Sequence, residues 1–181
     1  MASQLLFSNN QIDHFGDDGI DYAASNLAIT KNDIHDNLDI GDGNHEDAMQ
    51  GQIGILASGA KVNYFKNILI DSNLVIRQSD PKLSFPTYLQ GIDAFDEDWT
   101  NVTVTNNVVI TSACWGIAFA SIHSSLIANN TVVADGLVAT QGCPGANVSV
   151  GDTTHEGSPS SNTVVRNNLT SQLEEIGRAH V

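Results

Sequence analysis

Hydrophobic residues in this chain occur in short runs in which apolar and polar positions alternate. The clearest run spans residues 101–119, where Val102 and Val104 alternate with threonines and a second aliphatic pair follows Asn106 and Asn107. Alternation with a period of two predicts short β-strands, and the segment has neither a helical period nor a two-residue Asn-Gly hairpin loop. It therefore predicts two strands joined by a bend at the Asn-Asn pair, which together form one flattened coil.

The same pattern, an asparagine bend followed by an aliphatic strand, occurs five more times along the chain. Aligned on one position of the bend, the asparagines are Asn10, Asn32, Asn73, Asn107, Asn130 and Asn168. Spacings of 22 and 23 residues fit one bare coil, and the longer spacings of 41, 34 and 38 residues fit a coil with an insertion. Imperfect repeats of this length are typical of solenoids, and β-branched residues on the strands favour a β-solenoid over a helical one.

A stack of such coils would place equivalent residues above one another, about 4.8 Å apart. Two inward aliphatic columns are then predicted, Ile29, Ile70, Val104 and Ile127 in one and Ile34, Val75, Val109 and Val132 in the other. The asparagines form a further column at the bend, because Asn tolerates a left-handed backbone and stacked amides can hydrogen-bond to one another. An antiparallel sandwich of short strands is the alternative fold, but it does not explain the asparagine column.

With these repeats the chain resembles the right-handed parallel β-helix superfamily, the pectin-lyase-like fold with PbH1-type repeats, over about residues 5–172. The resemblance implies an all-β, right-handed parallel β-helix (a β-solenoid) of about six coils. We expect residues 1–174 to form one domain that is incomplete at one or both ends, because no capping segment precedes the first coil. Residues 175–181 break the repeat and resemble the translation of a sequencing adapter, which predicts a non-native tail on a metagenomic fragment. A disordered natural tail is the alternative.

The chain is strongly acidic, with 21 acidic residues against 7 basic ones and a net charge of −14. This balance argues against nucleic acid and anionic membranes as partners, and no apolar run is long enough for a membrane span. It suits a protein that is secreted or displayed on a cell or virion surface, although residues 1–10 show no signal-peptide pattern. A disulfide between Cys114 and Cys143, in turns of adjacent coils, is geometrically possible, and the sequence leaves this pairing open.

The longer insertions leave the repeat at one corner, between the strand that follows each asparagine and the next strand of the coil. They come after Ile34, Val75 and Val132. Insertions on one side of a repeat array often mark its binding face. We therefore expect these loops to rise on the same side and to wall a groove for substrate.

Acidic side chains are predicted to line that groove in two columns. Period-two alternation directs the side chains of Asp21, Gln50 and Asp93 outward. Asp21 and Asp93 are then two rungs apart, about 10 Å at the backbone. Side-chain lean can bring their carboxyls close to the ~6.5–9.5 Å separation of an inverting glycosidase. Asp18 and Asp47 are expected one rung apart in the second column, which also holds Gln90. Two such close carboxylates either differ in pKa, so that one acts as acid and one as base, or share a cation.

The densest polar cluster of the chain is GDGNHED, which ends in His45, Glu46 and Asp47. It predicts a catalytic carboxylate and histidine site centred on Asp47, with Asp18, Asp47 and Glu46 as candidate Ca²⁺ ligands. A solvated acidic loop whose side chains cap its own turns is the alternative, and the EF-hand pattern is absent. The predicted substrate-binding residues are amides and aromatic platforms for sugar stacking, namely Gln50, Gln90, Tyr22, Tyr88 and Trp115.

The resemblance to the β-helix superfamily implies an extracellular carbohydrate-active protein that binds a polysaccharide and cleaves or modifies it, as a lyase, hydrolase or C5-epimerase. No family signature matches well enough to carry over a catalytic residue. Lyases of this fold commonly use Lys or Arg, and Arg77 and Lys82 are the only bases expected near the groove. The acidic groove instead suits a hydrolase of a neutral glycan or a calcium-assisted lyase or epimerase. The alternative is a non-catalytic glycan-binding or adhesive module, such as part of a phage tailspike or a surface protein.

Overall fold

The computed structural model describes residues 4–41, 43–85, 88–136, 146–152, 157–170 and 173–176. Within these ranges the chain forms 21 β-strands and no α-helix. The strands are short because Asn, Ser, Gly and Asp turns interrupt the apolar and polar alternation every few residues. The prediction of an all-β chain is confirmed. A membrane-spanning helix is likewise not found in the described part of the chain.

Three sheets contain all but two of these strands. The first sheet consists of β1 (Leu5–Ser8), β4 (Leu27–Thr30), β9 (Tyr64–Asp71), β12 (Asp98–Thr105), β16 (Leu126–Ala128) and β19 (Val164–Arg166), with β15 (Ile122–His123) also paired to β12. The second consists of β2 (Gln11–Asp13), β5 (Asp33–His35), β10 (Leu74–Ile76), β13 (Val108–Ile110), β17 (Thr131–Val133) and β20 (Leu169–Thr170). The third consists of β3 (Ile20–Tyr22), β6 (Asp47–Gly51), β11 (Gln90–Ala94), β14 (Trp115–Ala120), β18 (Asn147–Gly151) and β21 (Leu173–Ile176). The remaining two strands, β7 (Gly54–Ile55) and β8 (Lys61–Val62), form an antiparallel hairpin.

The chain visits the first, second and third sheets in turn and then repeats the circuit. Every pairing between the described strands of the three sheets is parallel, from β1 with β4 at one end of the first sheet to β18 with β21 at one end of the third. This order is consistent with a β-solenoid and does not fit an antiparallel sandwich. One circuit corresponds to one predicted coil.

The two predicted aliphatic columns are confirmed, since Ile29, Ile70 and Val104 pair in register in the first sheet and Ile34, Val75 and Val109 do so in the second. A third column from the third sheet faces them. It contains Met49, Ile92, Ile117 and Val148. All three columns belong to one hydrophobic cluster whose central members are fully buried, so the described sheets share a single core.

The asparagine column is also confirmed, and each of its amides is hydrogen-bonded to the next. The side-chain nitrogen and the backbone N–H of Asn73, for example, both donate to Oδ1 of Asn107, at 3.0 and 2.9 Å. The same nitrogen donates to the carbonyl oxygen of Ile29, which ties the first sheet to the bend. One detail of the prediction is wrong: the left-handed residue is the one before each column asparagine, such as Ser72 or Asn106, both with φ near 58°. The hydrogen bonds of the side-chain amide, and not a left-handed backbone, therefore explain why asparagine occupies the column position.

The predicted insertions connect the second sheet to the third. The carboxylate of Asp36, in the first of these loops, accepts hydrogen bonds from the backbone N–H groups of Ser79 and Asp80 in the second. The backbone of Asp39 also donates to the carbonyl oxygen of Phe85. These two loops therefore rise on the same side, as predicted. Arg77 forms an ion pair with Asp135 at the start of the third insertion, and residues 137–145 of that insertion lie outside the described residues.

Two further predictions concern residues at the edge of the described part of the chain. Cys114 is disulfide-bonded, and Cys143, the only other cysteine of the sequence, lies outside the described residues. Strand β21 extends to Ile176, so the first two residues of the predicted tail continue the third sheet. Residues 177–181 lie outside the described residues, and their non-native origin stays a prediction.

Candidate functional site

A pocket of about 290 Å³ opens on the outer side of the third sheet, next to the predicted acidic cluster. We call it the acidic pocket; it is lined by Asp18, Asn44, His45, Gln50, Gly51, Gln52, Ile53, Phe95, Asp96 and Glu97. Three of the lining side chains are carboxylates, three are amides, and none is a lysine or arginine. The pocket therefore combines a negative potential with several hydrogen-bonding groups, which suits a polar, uncharged or cationic ligand.

Strand β6 and the turn before β3 place the two central carboxylates side by side. The backbone N–H of Asp47 donates to Oδ1 of Asp18 at 2.7 Å, and the backbone N–H of Gly19 donates to the carbonyl oxygen of Asp47 at 2.9 Å. Gly19 is required there, because a Cβ atom would lie 2.7 Å from the carbonyl oxygen of Ala48. The predicted adjacency of Asp18 and Asp47 is thus confirmed by the backbone contacts that join them.

Asp47 lies at the centre of a chain of side-chain hydrogen bonds. Its Oδ2 accepts from Nδ1 of His45 and from Nε2 of Gln50, both at 3.0 Å. Nε2 of Gln52 then donates to Oε1 of Gln50 at 2.5 Å and to Oδ1 of Asp21 at 2.9 Å. The exposed Asp21 and the buried Asp47 are therefore connected through the amides of Gln50 and Gln52.

Asp93 occupies the predicted position but not the predicted environment. It pairs in register with Gln50, which itself pairs with Asp21, so Asp21 and Asp93 are two rungs apart as expected. However, Asp93 is fully buried, and so is Ala118 in the next rung, which means that this part of the sheet is covered. The expectation that Asp93 lines an open groove is corrected, because a carboxyl without solvent access cannot contact a polysaccharide directly.

The carboxyls of Asp93 and Asp47 are both buried, and each one acts on the pKa of the other. Neither carboxyl oxygen of Asp93 accepts a hydrogen bond from a described residue, and Oδ1 of Asp47 accepts none either. Burial, followed by the charge of Asp47, raises the pKa of Asp93 well above its ordinary value. Burial also raises the pKa of Asp47, although its contacts with Asp93 and His45 oppose the shift. Two buried carboxyls this close cannot both ionise at low cost, so ionisation of one opposes ionisation of the other.

Asp18 is the member of the cluster that both lines the pocket and has a strongly shifted pKa. It is half-buried, and this burial is the largest cause of a shift that raises its pKa to about 7. The backbone N–H of Asp47 opposes the shift, whereas the charges of Asp47, Asp21 and Asp17 add to it. At neutral pH this carboxyl is therefore divided between its protonated and ionised forms, which is the condition for efficient proton donation.

The aromatic residues divide between the core and the surface. Tyr22 is buried, donates its hydroxyl to the carbonyl oxygen of Asp93 at 3.1 Å and packs edge-on against the fully buried Trp99. The prediction of Tyr22 as a sugar platform is therefore corrected: its ring is part of the core. Trp115 is exposed, and its ring centroid lies 5.0 Å from that of Phe95, a pocket-lining residue. Trp115 is thus available for sugar stacking beside the pocket.

The remaining predicted residues are not among those that line the pocket. Gln90 is buried and pairs in register with Asp47, and Tyr88 is half-buried just before strand β11. Glu46 is buried as well. Among the described residues, no group of three or more His, Cys, Asp or Glu side chains is arranged to hold a metal ion. The Ca²⁺ site predicted at Asp18, Asp47 and Glu46 has no support in this arrangement and stays an untested prediction.

Among the pocket residues that sequence reasoning missed are Gln52, Phe95, Asp96 and Glu97. They follow directly after strands β6 and β11, where the chain turns from the third sheet towards the first. The stretch FDED immediately after the Gly-Ile-Asp strand was the available signal, because it places an aromatic residue and acids at one edge of the predicted groove. The groove was predicted instead at the other end of the third-sheet strands, where the longer insertions enter.

No protein-family model, no curated protein and no solved structure matches this chain.

Proposed function

We propose that the chain is a carbohydrate-active protein that binds a polysaccharide over the acidic pocket and cleaves or modifies it, with Asp18 as the general acid. The observation that carries this proposal is the pKa of Asp18, raised to about 7 at a position that lines the pocket. A carboxyl with this pKa donates a proton at neutral pH, as required for departure of a sugar leaving group. The carboxylates and amides around it offer hydrogen bonds to sugar hydroxyls.

The neighbouring residues take supporting roles in this proposal. Asp47 is too deeply buried to contact the glycan and instead acts on the pKa of Asp18 through its charge and its backbone N–H. Asp21 is exposed on strand β3, directly after the turn that carries Asp18, and its carboxylate accepts a hydrogen bond from Gln52. It is therefore the candidate for the second carboxylate, as base or nucleophile. Among lyase, hydrolase and epimerase, the hydrolase is favoured, because the pocket lining lacks the Lys or Arg that would neutralise a uronate.

The proposal includes the finer description of the fold. We infer that the three parallel sheets are the faces of one right-handed parallel β-helix of about six coils, of the pectin-lyase-like type. Two observations support it: the strict order in which the chain visits the sheets, and the single hydrophobic cluster between them. The right hand follows from the twist of the strands, which makes nearly all parallel crossover connections right-handed.

We further propose that the protein works outside the cell or on a cell or virion surface. The disulfide at Cys114 supports an oxidising environment, and the net charge of −14 disfavours nucleic acid as a partner.

A non-catalytic glycan-binding module is the second candidate function. It is favoured by the exposed pair of Trp115 and Phe95 beside a pocket rich in amides, since this combination binds sugars without any need for proton transfer. In that case the raised pKa of Asp18 is a consequence of burial and has no catalytic role.

The two candidates are separated by product analysis on neutral glucans, pectate and alginate, each with and without Ca²⁺. The enzymatic proposal predicts new reducing ends or unsaturated products from one of these glycans, and a loss of about 10²-fold or more in Asp18→Asn. Asp13→Asn, which removes an exposed acid on the second sheet, is the matched control and should keep full activity. Turnover that is equal in Asp18→Asn and wild type would refute the assignment of Asp18. Binding without turnover on every glycan would favour the second candidate.

A further inference from the structure

A second pocket, of about 370 Å³, lies where the chain passes from the third sheet to the first. Its lining comes from the turn after strand β3, from the β7–β8 hairpin and from the start of strand β9. We call it the hairpin pocket; its apolar lining includes Ala23, Ile53, Ile55, Leu56, Val62 and Phe65. None of its lining residues is ionisable, so it suits an uncharged, apolar group.

The hairpin pocket is preformed, because part of its lining belongs to the hydrophobic core. Phe65 is 2% exposed, and its ring stacks on that of Trp99 with 4.9 Å between the centroids. The hairpin packs closely on this ring, since a Cβ atom at Gly54 would lie 3.4 Å from Cζ of Phe65. The hydroxyl oxygen of Ser25, also in the lining, already accepts a hydrogen bond from the backbone N–H of Lys66 at 3.0 Å. A ligand in this pocket therefore meets mainly apolar atoms.

The hairpin also holds two large apolar side chains at the edge of this pocket. Ile55 is 71% exposed and Leu56 is 54% exposed. The turn that carries them is closed by backbone hydrogen bonds, from the N–H of Leu56 to the carbonyl oxygen of Ala60 and from the N–H of Gly59 to that of Leu56. Apolar side chains gathered at the edge of a pocket are typical of a ligand-binding groove.

The hairpin pocket adjoins the acidic pocket. Ile53 lines both pockets and is half-buried. The backbone N–H of Gln52 donates to the carbonyl oxygen of Tyr22 at 3.0 Å, which joins the segment before Ile53 to the segment before Ala23. Asp21 and Ala23 are both exposed and only two residues apart. A single ligand can therefore contact both pockets across Ile53.

We propose that the glycan bound in the acidic pocket carries a hydrocarbon group, and that this group occupies the hairpin pocket. This inference rests on the proposed function and names its substrate class: an acylated, alkylated or aryl-substituted glycan. The sugar hydroxyls face carboxylates and amides on one side of Ile53, and the hydrocarbon lies on the apolar lining on the other side. The hydrocarbon adds affinity in proportion to the apolar area that it buries, so it selects among glycans with the same sugar.

The test is calorimetric titration with n-alkyl β-glycosides of glucose, galactose and N-acetylglucosamine, from methyl to heptyl, each below its micelle-forming concentration. For the best of the three sugars, we expect the affinity to rise about fourfold per added methylene, the gain from burying one methylene group. Ala23→Phe, which places a ring in the pocket from an exposed position, should abolish this rise. Ala134→Phe, at an exposed alanine after strand β17, is the matched control and should keep it.

The same titrations with Asp18→Asn separate this inference from the proposed function. Asp18 does not line the hairpin pocket, so the rise in affinity per methylene should equal that of wild type. A rise in affinity without turnover of any glycan would support the hairpin pocket and refute the enzymatic proposal. Turnover without a rise in affinity would refute the hairpin pocket and leave the enzymatic proposal in place.

Three results would overturn the inference: an affinity that does not depend on chain length for any of the three sugars, a rise that Ala23→Phe retains, or binding of n-hexanol as tight as that of the best hexyl glycoside. The last result would mean that sugar and hydrocarbon do not bind as one ligand. Circular dichroism melts show whether each variant is folded. Leu56→Ser, at an exposed position of the lining, replaces Ala23→Phe if that variant unfolds, and it should reduce the rise.

Discussion

Replacing Asn107 by leucine tests the asparagine column, which joins all six bends. The two side chains are similar in size, so the substitution removes hydrogen bonds with little change in volume. Nδ2 of Asn107 donates to the carbonyl oxygen of Ile70 and to Oδ1 of Asn130, both at 3.0 Å. Its Oδ1 accepts from the backbone N–H and from Nδ2 of Asn73, at 2.9 and 3.0 Å. Leucine makes none of these four contacts.

The expected cost follows from the groups that lose a partner. Nδ2 of Asn73 keeps its bond to Ile29, and Oδ1 of Asn130 still accepts from the backbone N–H of residue 107. The backbone N–H of Asn73 and the carbonyl oxygen of Ile70 each lose their side-chain partner in a region without solvent access. An unsatisfied buried group costs about 1–3 kcal/mol, and the backbone N–H of Asn73 becomes such a group, so we expect a loss of about 1–3 kcal/mol in the free energy of unfolding.

Urea denaturation followed by circular dichroism measures this loss as a lower midpoint at constant slope. Asn10→Leu is the matched control. The side chain of Asn10 donates one hydrogen bond, to Asn32, whose Oδ1 still accepts from the backbone N–H of residue 10. It should lose less than about 1 kcal/mol. Equal losses in both variants, or no loss in Asn107→Leu, would show that the column does not stabilise the fold in the way its contacts indicate.

Three other substitutions test the close packing and the buried acids. Gly91→Ala should lower the melting temperature strongly, because its Cβ would lie 1.9 Å from a backbone carbonyl oxygen. Gly54→Ala is the control and should be tolerated, because its Cβ would have no contact under 3.3 Å. Similar melting temperatures of the two variants would contradict this. Asp93→Asn should be more stable than wild type at pH 8 and no more stable at pH 4. Burial raises the pKa of Asp93 in the folded protein, so wild type loses stability as the pH rises above the pKa of about 4 that this carboxyl has in the unfolded chain. An equal difference in melting temperature at the two pH values would refute this. Asp36→Asn should lower the free energy of unfolding by about 1–3 kcal/mol at pH 7 and by less in acid. Burial raises the pKa of Asp36, but hydrogen bonds from residues 79–80 outweigh it and lower the pKa, so the ionised form stabilises the fold. A stability difference between variant and wild type that grows as the pH falls would contradict this.

The columns and the register could be predicted from the sequence because each depends on a local and repeated pattern. Ile29, Ile70 and Val104 occupy the same place relative to an asparagine bend, so alignment of the repeats is enough to pair them. The adjacency of Asp18 and Asp47 followed from the same alignment. Parallel stacking converts similarity along the chain directly into contact between coils.

The environment of single side chains could not be predicted in the same way. Asp93 and Asp21 occupy equivalent repeat positions, yet one is fully buried and the other exposed. Tyr22 lies in the core because Trp99, from a distant strand, packs against its ring. Such burial depends on the irregular segments that cover each rung, and these segments do not repeat. The roles of Gln52 and Phe95 in the pocket were missed for the same reason.

The pKa of Asp18 is the most direct test of the central claim, that a pocket-lining carboxyl is held ready to donate a proton near neutral pH. Carboxyl ¹³C chemical shifts of the aspartates, followed from pH 3 to pH 9 and assigned with Asp18→Asn, measure it. We expect a midpoint of about 7 for Asp18, and a lower midpoint in Asp47→Asn because the charge of Asp47 contributes to the raised pKa. A midpoint near the ordinary value of about 4 would mean that Asp18 is ionised at neutral pH and would contradict its assignment as the general acid.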